Sequence, residues 1–263
     1  MNSDVAGLIT EIDSAQSTMI EQLHQFCTIN SGSDNLYGLA NMAKILCTAF
    51  TPIAESLENR SLPLIPSMGM TGEIIEQKVG NMLFIRKRPL LRRRILLSGH
   101  MDTVYSVDSP FQILRYRDKN TLNGPGVADM KGGLVVILHA LNAFEKLDIA
   151  QSIGWDVLIN SDEEIGSPAS SLFLDEIAKQ YQAALVYEPA MDAAGTFAKN
   201  RKGSGKLTLV ATGKQAHAGR AFYEGRNAIA YLAEAIVAIH KLNFDQKGIT
   251  INVGKIAGGE ALN

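Results

Sequence analysis

Three short aliphatic runs, each followed by a histidine or an acidic residue, constrain the fold of this chain more than any other feature. The runs are residues 95–98, 155–160 and 184–187, and the polar residues that follow them are His100, Glu163, Glu164 and Glu188. Between the runs, residues 132–146 and 169–181 carry apolar side chains at helical spacing. Strands that alternate with helices predict an α/β fold in which helices flank a mostly parallel sheet.

The rest of the chain separates into an opening helical part and a later domain. Further predicted elements are helices at residues 5–29, 36–49 and 225–242, and strands at residues 81–85, 207–212 and 249–254. Near residue 195 glycines and lysines become frequent, which predicts one domain over residues 1–194 and another over 195–263. The basic run at residues 92–94 directly precedes a strand and indicates a solvated strand entrance.

The charge and the cysteine content exclude several classes of function. The chain has 25 basic and 27 acidic residues, so neither a nucleic acid nor an anionic membrane is an expected partner. Cys27 and Cys47 are too few for a disulfide framework or a structural zinc cage. We expect no signal peptide, and no segment approaches the roughly 18 apolar residues of a membrane helix. These patterns favour a cytoplasmic protein that acts on small molecules.

His100 and Asp102 stand where the strand at residues 95–98 ends. In parallel α/β sheets, ligands collect at the carboxyl ends of the strands. Side chains two residues apart in an extended segment point to the same side, so Asp102 can accept a hydrogen bond from the imidazole nitrogen that faces no metal. Taken alone, however, a His-x-Asp pair more often marks a core or surface histidine.

Asp129 lies in a glycine-rich segment, residues 123–133, directly before a predicted helix. An aspartate at this place is a good helix cap. The glycines also permit close approach of the backbone to an ion, and a carboxylate has two oxygens with which to bridge two cations. The residues alone therefore leave capping and metal binding equally open.

Three consecutive acids, Asp162, Glu163 and Glu164, follow the second aliphatic run, and Glu188 follows the third. A solvated acidic loop is the commonest explanation, although loops at these strand ends surround the site of a parallel sheet. One carboxylate of such a run can bind metal while its neighbour acts as general base.

Taken together, these residues form a set of donors with one imidazole and several carboxylates. The set comprises His100, Asp129, Glu163, Glu164 and Glu188. Such a set suits two divalent ions, zinc first, with cobalt or manganese also possible, and it excludes a thiolate site.

As motifs, these segments resemble the co-catalytic zinc exopeptidases, a superfamily that includes glutamate carboxypeptidase, aminoacylase, acetylornithine deacetylase, succinyl-diaminopimelate desuccinylase and dipeptidases. The motifs are SGHMDTV at residues 98–104, GPGVADMKGG at 124–133, DEEIGS at 162–167 and YEP at 187–189. They occur in the family's order and at its spacing, and the resemblance extends from about residue 95 to the end of the chain.

The resemblance implies a role for each residue of the set. His100 and Glu188 would hold one metal ion, Glu164 would hold the other, and Asp129 would bridge the two. Glu163 would be the general base, and Asp102 would orient His100. The resemblance also implies a cis peptide bond between Asp129 and Met130.

A further segment, TGKQAHAG at residues 212–219, resembles the lid-domain motif of the same family. In the family, the histidine of this motif reaches across a dimer interface and polarises the scissile carbonyl, which makes His217 a catalytic candidate. Without the motif, a histidine in a glycine-flanked loop is usually just exposed to solvent.

The chain also departs from the family pattern. The family's lid is about twice as long as residues 195–263, and beyond it the family chain returns to the catalytic sheet with a further histidine ligand and an arginine for the substrate carboxylate. We expect this chain to lack both residues, as a form truncated at its C-terminus. Weak metal binding at Glu164 and an apolar sheet edge would follow.

The resemblance predicts a metal-dependent hydrolase that cleaves an amide or peptide bond beside a free carboxylate, as glutamate carboxypeptidase does. An N-acyl-amino-acid deacylase of the aminoacylase or desuccinylase type is an alternative, and so is an inactive truncated fragment of such an enzyme. The expected substrate is a small peptide or N-acyl amino acid, and a homodimer is expected for a full-length protein.

Overall fold

Helices and strands alternate along much of the chain, of which the computed structural model describes residues 3–69, 71–200, 202–245 and 248–259. The α-helices are α1 Ser3–Ser14, α2 Gln16–Cys27, α3 Leu36–Phe50, α4 Gly132–Phe144, α5 Ser170–Ile177 and α6 Ala228–Asp245. The strands are β1 Ser56–Arg60, β2 Ile65–Met68, β3 Ile74–Gln77, β4 Met82–Lys87, β5 Arg94–His100, β6 Arg115–Asp118, β7 Thr121–Asn123, β8 Gly154–Asn160 and β9 Ala183–Val186. A turn at Val127–Lys131, with non-helical backbone angles at Asp129 and Met130, precedes α4, and 3-10 turns lie at Asp148–Ser152, Ala178–Gln180 and Phe222–Glu224. The predicted α/β class is confirmed.

The chain divides into two compact units. The first comprises Met1–Ile65 and Lys78–Asn200, and the second comprises Pro66–Gln77 and Arg201–Asn263. The sequence placed a boundary at residue 195 and did not anticipate that residues 66–77 belong with the later part. The assignment of residues 1–194 to catalysis and of 195–263 to a lid stays a prediction.

The main sheet has the strand order β1-β4-β8-β5-β9. Strand β4 runs antiparallel to β1 and β8, whereas β5 runs parallel to β8 and β9. The sheet is therefore mixed, where the sequence predicted a mostly parallel one, because hydrophobic runs do not reveal strand direction. The parallel part is the one that carries the predicted site residues, so the carboxyl ends of β5, β8 and β9 share one edge.

Both faces of the central strands β4, β8 and β5 are mostly buried, as the aliphatic composition of these strands requires. Successive residues of a strand point to opposite faces, and Leu97 packs into the cluster with α2, α3 and α4 while Leu96 packs with α5. Strand β8 is buried along its whole length. The two clusters hold the sheet between helical layers and fix the strand ends.

The basic run before β5 is only partly solvated. Arg92 and Arg93 are exposed as predicted, but Arg94 is 4% exposed. Its guanidinium pairs with the buried carboxylate of Asp156 and donates to the carbonyl oxygen of Arg88. The prediction was wrong for Arg94 because a buried carboxylate on the neighbouring strand needs a partner of opposite charge.

Strand β9 is the last strand of the sheet among the described residues. Leu185 is 47% exposed and Val186 is 64% exposed. The last described strand of the sheet therefore presents partly exposed apolar side chains. At the start of the chain, residues 5–29 form two helices that are interrupted at Ala15, where the sequence predicted one helical stretch.

The second unit contains less regular structure than the sequence predicted. Helix α6 confirms the helix expected at residues 225–242. The expected strands at 207–212 and 249–254 are absent, and the described part of residues 202–259 has a single isolated bridge, between Lys214 and Arg226. A β-prone run becomes a strand only when a second strand pairs with it, and these runs pair with none of the described residues.

One described helical segment, Val127–Phe144, has the length and mean hydropathy, 1.3, of a membrane span. No such segment was expected from the amino-acid sequence. Its residues Leu134, Ile137 and Leu141 are buried in the core of the first unit. The core helix of a globular domain meets the same criteria, and this burial explains the high hydropathy here.

Candidate metal centre

The predicted site residues of the first unit gather at the carboxyl edge of the three parallel strands. The strand register sets His100 beside Asn160 and Ser98 beside Val186. The segments that follow β5, β8 and β9 therefore leave the sheet side by side. Their polar residues meet because parallel strands end at the same edge.

His100 is the centre of this cluster and is 1% exposed. Its Nε2 atom lies 3.1 Å from Asp129 Oδ1 and 3.9 Å from both Glu163 Oε2 and Glu188 Oε1. Burial lowers the pKa of His100, but its hydrogen bond to Asp102 and the surrounding carboxylates outweigh that effect and raise the pKa to about 9. One imidazole nitrogen thus faces three acidic side chains.

Asp102 contacts the other nitrogen of His100 in a way that the sequence predicted only in part. The nearest acceptor for Nδ1 is the backbone carbonyl oxygen of Asp102 at 3.0 Å, and the carboxylate Oδ1 lies at 3.4 Å. The carboxylate mainly accepts hydrogen bonds from the backbone N–H groups of Glu163 and Glu164, at 3.2 and 3.1 Å. It also accepts one from the Ser33 hydroxyl, at 2.8 Å. Asp102 therefore ties the turn after β8 to the end of β5.

Ser33 carried no signal in the sequence. It lies in the segment between α2 and α3, which runs along the end of β5 through a bridge between Gly32 and Thr103. The Ser31 hydroxyl donates to the carbonyl oxygen of Met101 in the same contact. Small polar residues of this kind are common in loops, so only the pairing of distant segments reveals their place.

The turn Val127–Lys131, called here the Asp129 turn, places Asp129 just before the N-terminus of α4. Gly126 begins the turn with a φ of 73°, a left-handed conformation that favours glycine. The Asp129–Met130 peptide bond is cis, as the family resemblance implied. Met130 is buried beneath the turn, while the Asp129 side chain is 56% exposed. The turn thus directs the carboxylate toward His100 and leaves it accessible.

The three acids after β8 divide into two functions. Asp162 is fully buried, and its Oδ2 accepts hydrogen bonds from the N–H groups of Ala169 and Ser170 at the start of α5. It is a helix-capping residue. Glu163 and Glu164 turn toward the cluster instead. Burial and the negative charge of Asp129 raise the pKa of Glu164 to about 7.

The donor atoms of the cluster form two overlapping groups that suit a metal ion. One is His100, Glu163 and Glu188, the other is His100, Asp129 and Glu164, and in each the donor atoms lie within 4.8 Å of one another. Among the described residues, Asp129 and Glu163 form ion pairs only with His100. Nitrogen and carboxylate oxygen are ligands that zinc accepts, so the donors fit a divalent ion. The division of ligands between two ions stays a prediction.

His217 belongs to the second unit and lies in an exposed turn. Its Nδ1 accepts a hydrogen bond from the Gly219 N–H at 3.1 Å, and its carbonyl oxygen accepts from the N–H groups of Arg220 and Ala221. These contacts define the local conformation of the turn. The catalytic role of His217 stays a prediction.

Comparison with known proteins agrees with this arrangement. The model of the peptidase family M20/M25/M40 matches residues 96–224, which include the whole cluster, and that of the peptidase dimerisation domain of M20 enzymes matches residues 200–263. The chain belongs to the M20 family. The family resemblance that the motifs indicated is therefore confirmed.

Relatives within the M20 family differ in the reactions that their names describe. The chain is 27% identical over 237 residues to carboxypeptidase G2 of Pseudomonas sp. strain RS-16, covering 88% of this chain and 52% of that protein. It is 29% identical over 187 residues to acetylornithine deacetylase of Salmonella arizonae, covering 64% of this chain and 46% of that protein. The chain thus spans about half the length of these curated relatives.

A solved structure supports the fold. The di-peptidase Dug1p of Saccharomyces cerevisiae aligns with a TM-score of 0.59 at 16% identity, over 72% of this chain and 42% of that one. At this identity the likeness concerns the fold alone. This likeness agrees with a helix-flanked sheet as the scaffold that carries the cluster around His100.

Proposed function

We propose that this chain provides the metal-binding part of a hydrolase that cleaves an amide or peptide bond beside a free carboxylate. The observation that carries the proposal is the approach of three carboxylates, from three separate segments, to within 3.9 Å of one buried imidazole nitrogen. Uncompensated acids repel one another, so their convergence on one point favours a cation as the bound partner. Membership of the M20 family supports the same reading.

The proposed ligands are His100 and Glu188 for one ion, Glu164 for the other, and Asp129 between them. When bound, two divalent cations would polarise the substrate carbonyl and increase the acidity of water. The remaining chemistry belongs to the protein. Glu163, whose side chain is 44% exposed, would take a proton from the attacking water and deliver it to the leaving nitrogen.

A cavity of about 260 Å³ beside the cluster supports a role in binding substrate. Its lining includes Tyr105 and Phe111, whose ring centroids lie 4.9 Å apart, together with Asp129 and Glu164. The described residues that line the cavity include no lysine or arginine. We infer that the cavity takes the uncharged acyl side of the scissile bond, because a carboxylate would need a cationic partner.

Three finer features belong to the same proposal. Zinc is the preferred ion for a set of one histidine and several carboxylates, with cobalt and manganese as substitutes. Homodimer formation is supported by the match to the peptidase dimerisation domain. A reducing, cytoplasmic location is supported by Cys27 and Cys47, both of which are free thiols.

Substitution of Glu163 by glutamine tests the mechanism. Glu163→Gln keeps the shape of the side chain but removes its ability to accept a proton. We expect unchanged metal stoichiometry and a loss of turnover of about 10² to 10⁴-fold, the usual contribution of a general base. Metal content by elemental analysis and hydrolysis of N-acyl amino acids are the measurements. Wild-type turnover in the variant would remove Glu163 from this role.

An N-acyl-amino-acid deacylase is the second candidate function, favoured by the similarity to acetylornithine deacetylase. A panel that pairs glutamate-terminated dipeptides with N-acetyl and N-succinyl amino acids separates the two. Faster hydrolysis of the N-acyl compounds would select the deacylase. Tight binding of two ions with turnover by this chain would exclude the third possibility, an inactive fragment.

A further inference from the structure

Lys131 is a buried cation two residues after Asp129. The residue is 1% exposed, and its Nζ donates hydrogen bonds to the carbonyl oxygens of Phe26 and Ile29, at 3.0 and 2.7 Å. Phe26 lies in the last turn of α2, which ends at Cys27, and Ile29 lies two residues beyond that end. The last carbonyls of a helix lack partners within the helix and carry partial negative charge, which makes them suitable acceptors for an ammonium group.

This arrangement is an expensive way to fill space. Among the described residues, Lys131 forms no ion pair with a carboxylate. The two carbonyl oxygens that accept its hydrogen bonds therefore compensate for the loss of water around the ammonium group. Burial of an ammonium group without a counter-charge is strongly unfavourable compared with burial of an apolar side chain of similar volume. A methionine would fill the same volume without that penalty. The two hydrogen bonds therefore point to a function that packing alone does not explain.

The Asp129 turn is built around the stem of this lysine. The backbone N–H of Lys131 donates to the carbonyl oxygen of Gly126 at 2.8 Å and closes the turn. A Cβ atom on Gly126 would lie 2.9 Å from Lys131 Cδ, so the glycine leaves room for the lysine stem. The side chain thus crosses beneath the turn and connects it to a helix about a hundred residues earlier in the chain.

We propose that Lys131 is a positioning residue that anchors the Asp129 turn to the C-terminus of α2 and so holds the Asp129 carboxylate in place for cations. The inference rests on the proposed function, because it takes Asp129 as a metal ligand. The Asp129 side chain is 56% exposed, and its hydrogen bond among the described residues is with His100 Nε2, at 3.1 Å. Its position depends on the turn, and the turn is attached through Lys131.

The test compares Lys131→Met with Arg94→Met. Both variants replace a buried, hydrogen-bonded cation of the first unit with an apolar side chain. Arg94 begins β5, at the opposite end of that strand from His100. A general loss of stability would weaken metal binding in both variants. A positioning role of Lys131 would weaken metal binding only in Lys131→Met.

The affinity for Zn²⁺ is measured by competition with a chromophoric chelator, at a temperature where each variant is folded, and the melting temperature is recorded separately. We expect Lys131→Met to bind Zn²⁺ about 10 to 100-fold more weakly than wild type, the range found when groups supporting metal ligands are removed. Arg94→Met is expected to melt earlier but to bind Zn²⁺ with wild-type affinity.

Equal affinity in Lys131→Met and wild type would overturn the inference while leaving the proposed function intact. An equal loss of affinity in both variants would also overturn it, since the effect would then be general. If Lys131→Met does not fold, Lys131→Leu, which also removes the donor, takes its place under the same criteria. Absence of Zn²⁺ binding by the wild-type chain would overturn the proposed function itself, and this inference with it.

Discussion

Replacement of Asp102 by asparagine removes one acceptor from a carboxylate that joins three segments. In the native structure Oδ1 accepts from the Glu163 N–H, and Oδ2 accepts from the Glu164 N–H and the Ser33 hydroxyl. An asparagine offers one oxygen and one NH₂ group. Whichever way the amide is turned, its NH₂ group faces a backbone N–H donor that then has no acceptor.

The expected loss of stability follows from this one unpaired backbone donor. One buried donor left without a partner costs about 1–3 kcal/mol. For a unit of this size, a loss of 1 kcal/mol lowers the melting temperature by roughly 2–4 °C, so Asp102→Asn is expected to melt about 2–12 °C earlier. Because the Glu163 and Glu164 turn loses part of its anchor to the end of β5, we also expect metal affinity to fall by about 10 to 100-fold.

Thermal unfolding by circular dichroism and Zn²⁺ titration measure the two effects. Ser33→Ala is the matched control, because it removes one donor and leaves both carboxylate oxygens with their backbone partners. We expect that variant to lose only about 0.5–1.5 kcal/mol, the net contribution of one hydrogen bond. If Asp102→Asn melted and bound Zn²⁺ as the wild type does, the carboxylate would not be the anchor that its contacts indicate.

Other perturbations probe the ligands and the core. Asp129→Ala should lose metal at both positions, seen as a stoichiometry near zero, and retention of one tightly bound ion would contradict a bridging role. Metal binding at pH 8 should release roughly one proton per chain, because the raised pKa of His100, about 9, keeps it protonated in the metal-free protein. Affinity should weaken further as pH falls through the Glu164 pKa of about 7; calorimetry in buffers of different ionisation enthalpy measures the proton count, and a pH-independent affinity would oppose this account. Leu134→Ala, at a fully buried position, should lower the free energy of unfolding by about 2–5 kcal/mol, measured by urea titration. A smaller decrease would indicate that the core closes around the missing side chain.

The local sequence pattern predicted well which edge of the sheet carries the site, because the aliphatic runs that end at polar residues are visible in the sequence itself. Strands β5 and β8 and helix α4 lie within a few residues of their predicted positions. The strands expected at residues 207–212 and 249–254 are missing for a complementary reason. A strand exists only as part of a pair, and β propensity carries no information about the partner.

The same limit explains why the prediction for Arg94 was wrong and why no separate role was predicted for Asp162. Among three adjacent acids, nothing in the local sequence distinguishes Asp162, which caps α5, from the two that face the cluster. Arg94 looks like its two exposed neighbours until the buried carboxylate of Asp156 on the adjacent strand is known. Each assignment depends on a contact between residues that are distant in the chain.

The amino-acid sequence by itself determined the α/β class, the M20 family and the residue types that the cluster brings together, because these are carried by local hydrophobic spacing and by contiguous motifs. Only the tertiary structure decided which acids face His100, that Ser33 supports Asp102, and that Lys131 reaches the end of α2. These contacts join residues 29 to 105 positions apart. Side chains of ordinary type acquire such roles through the folding of the sheet and its helices, which no local window of sequence contains.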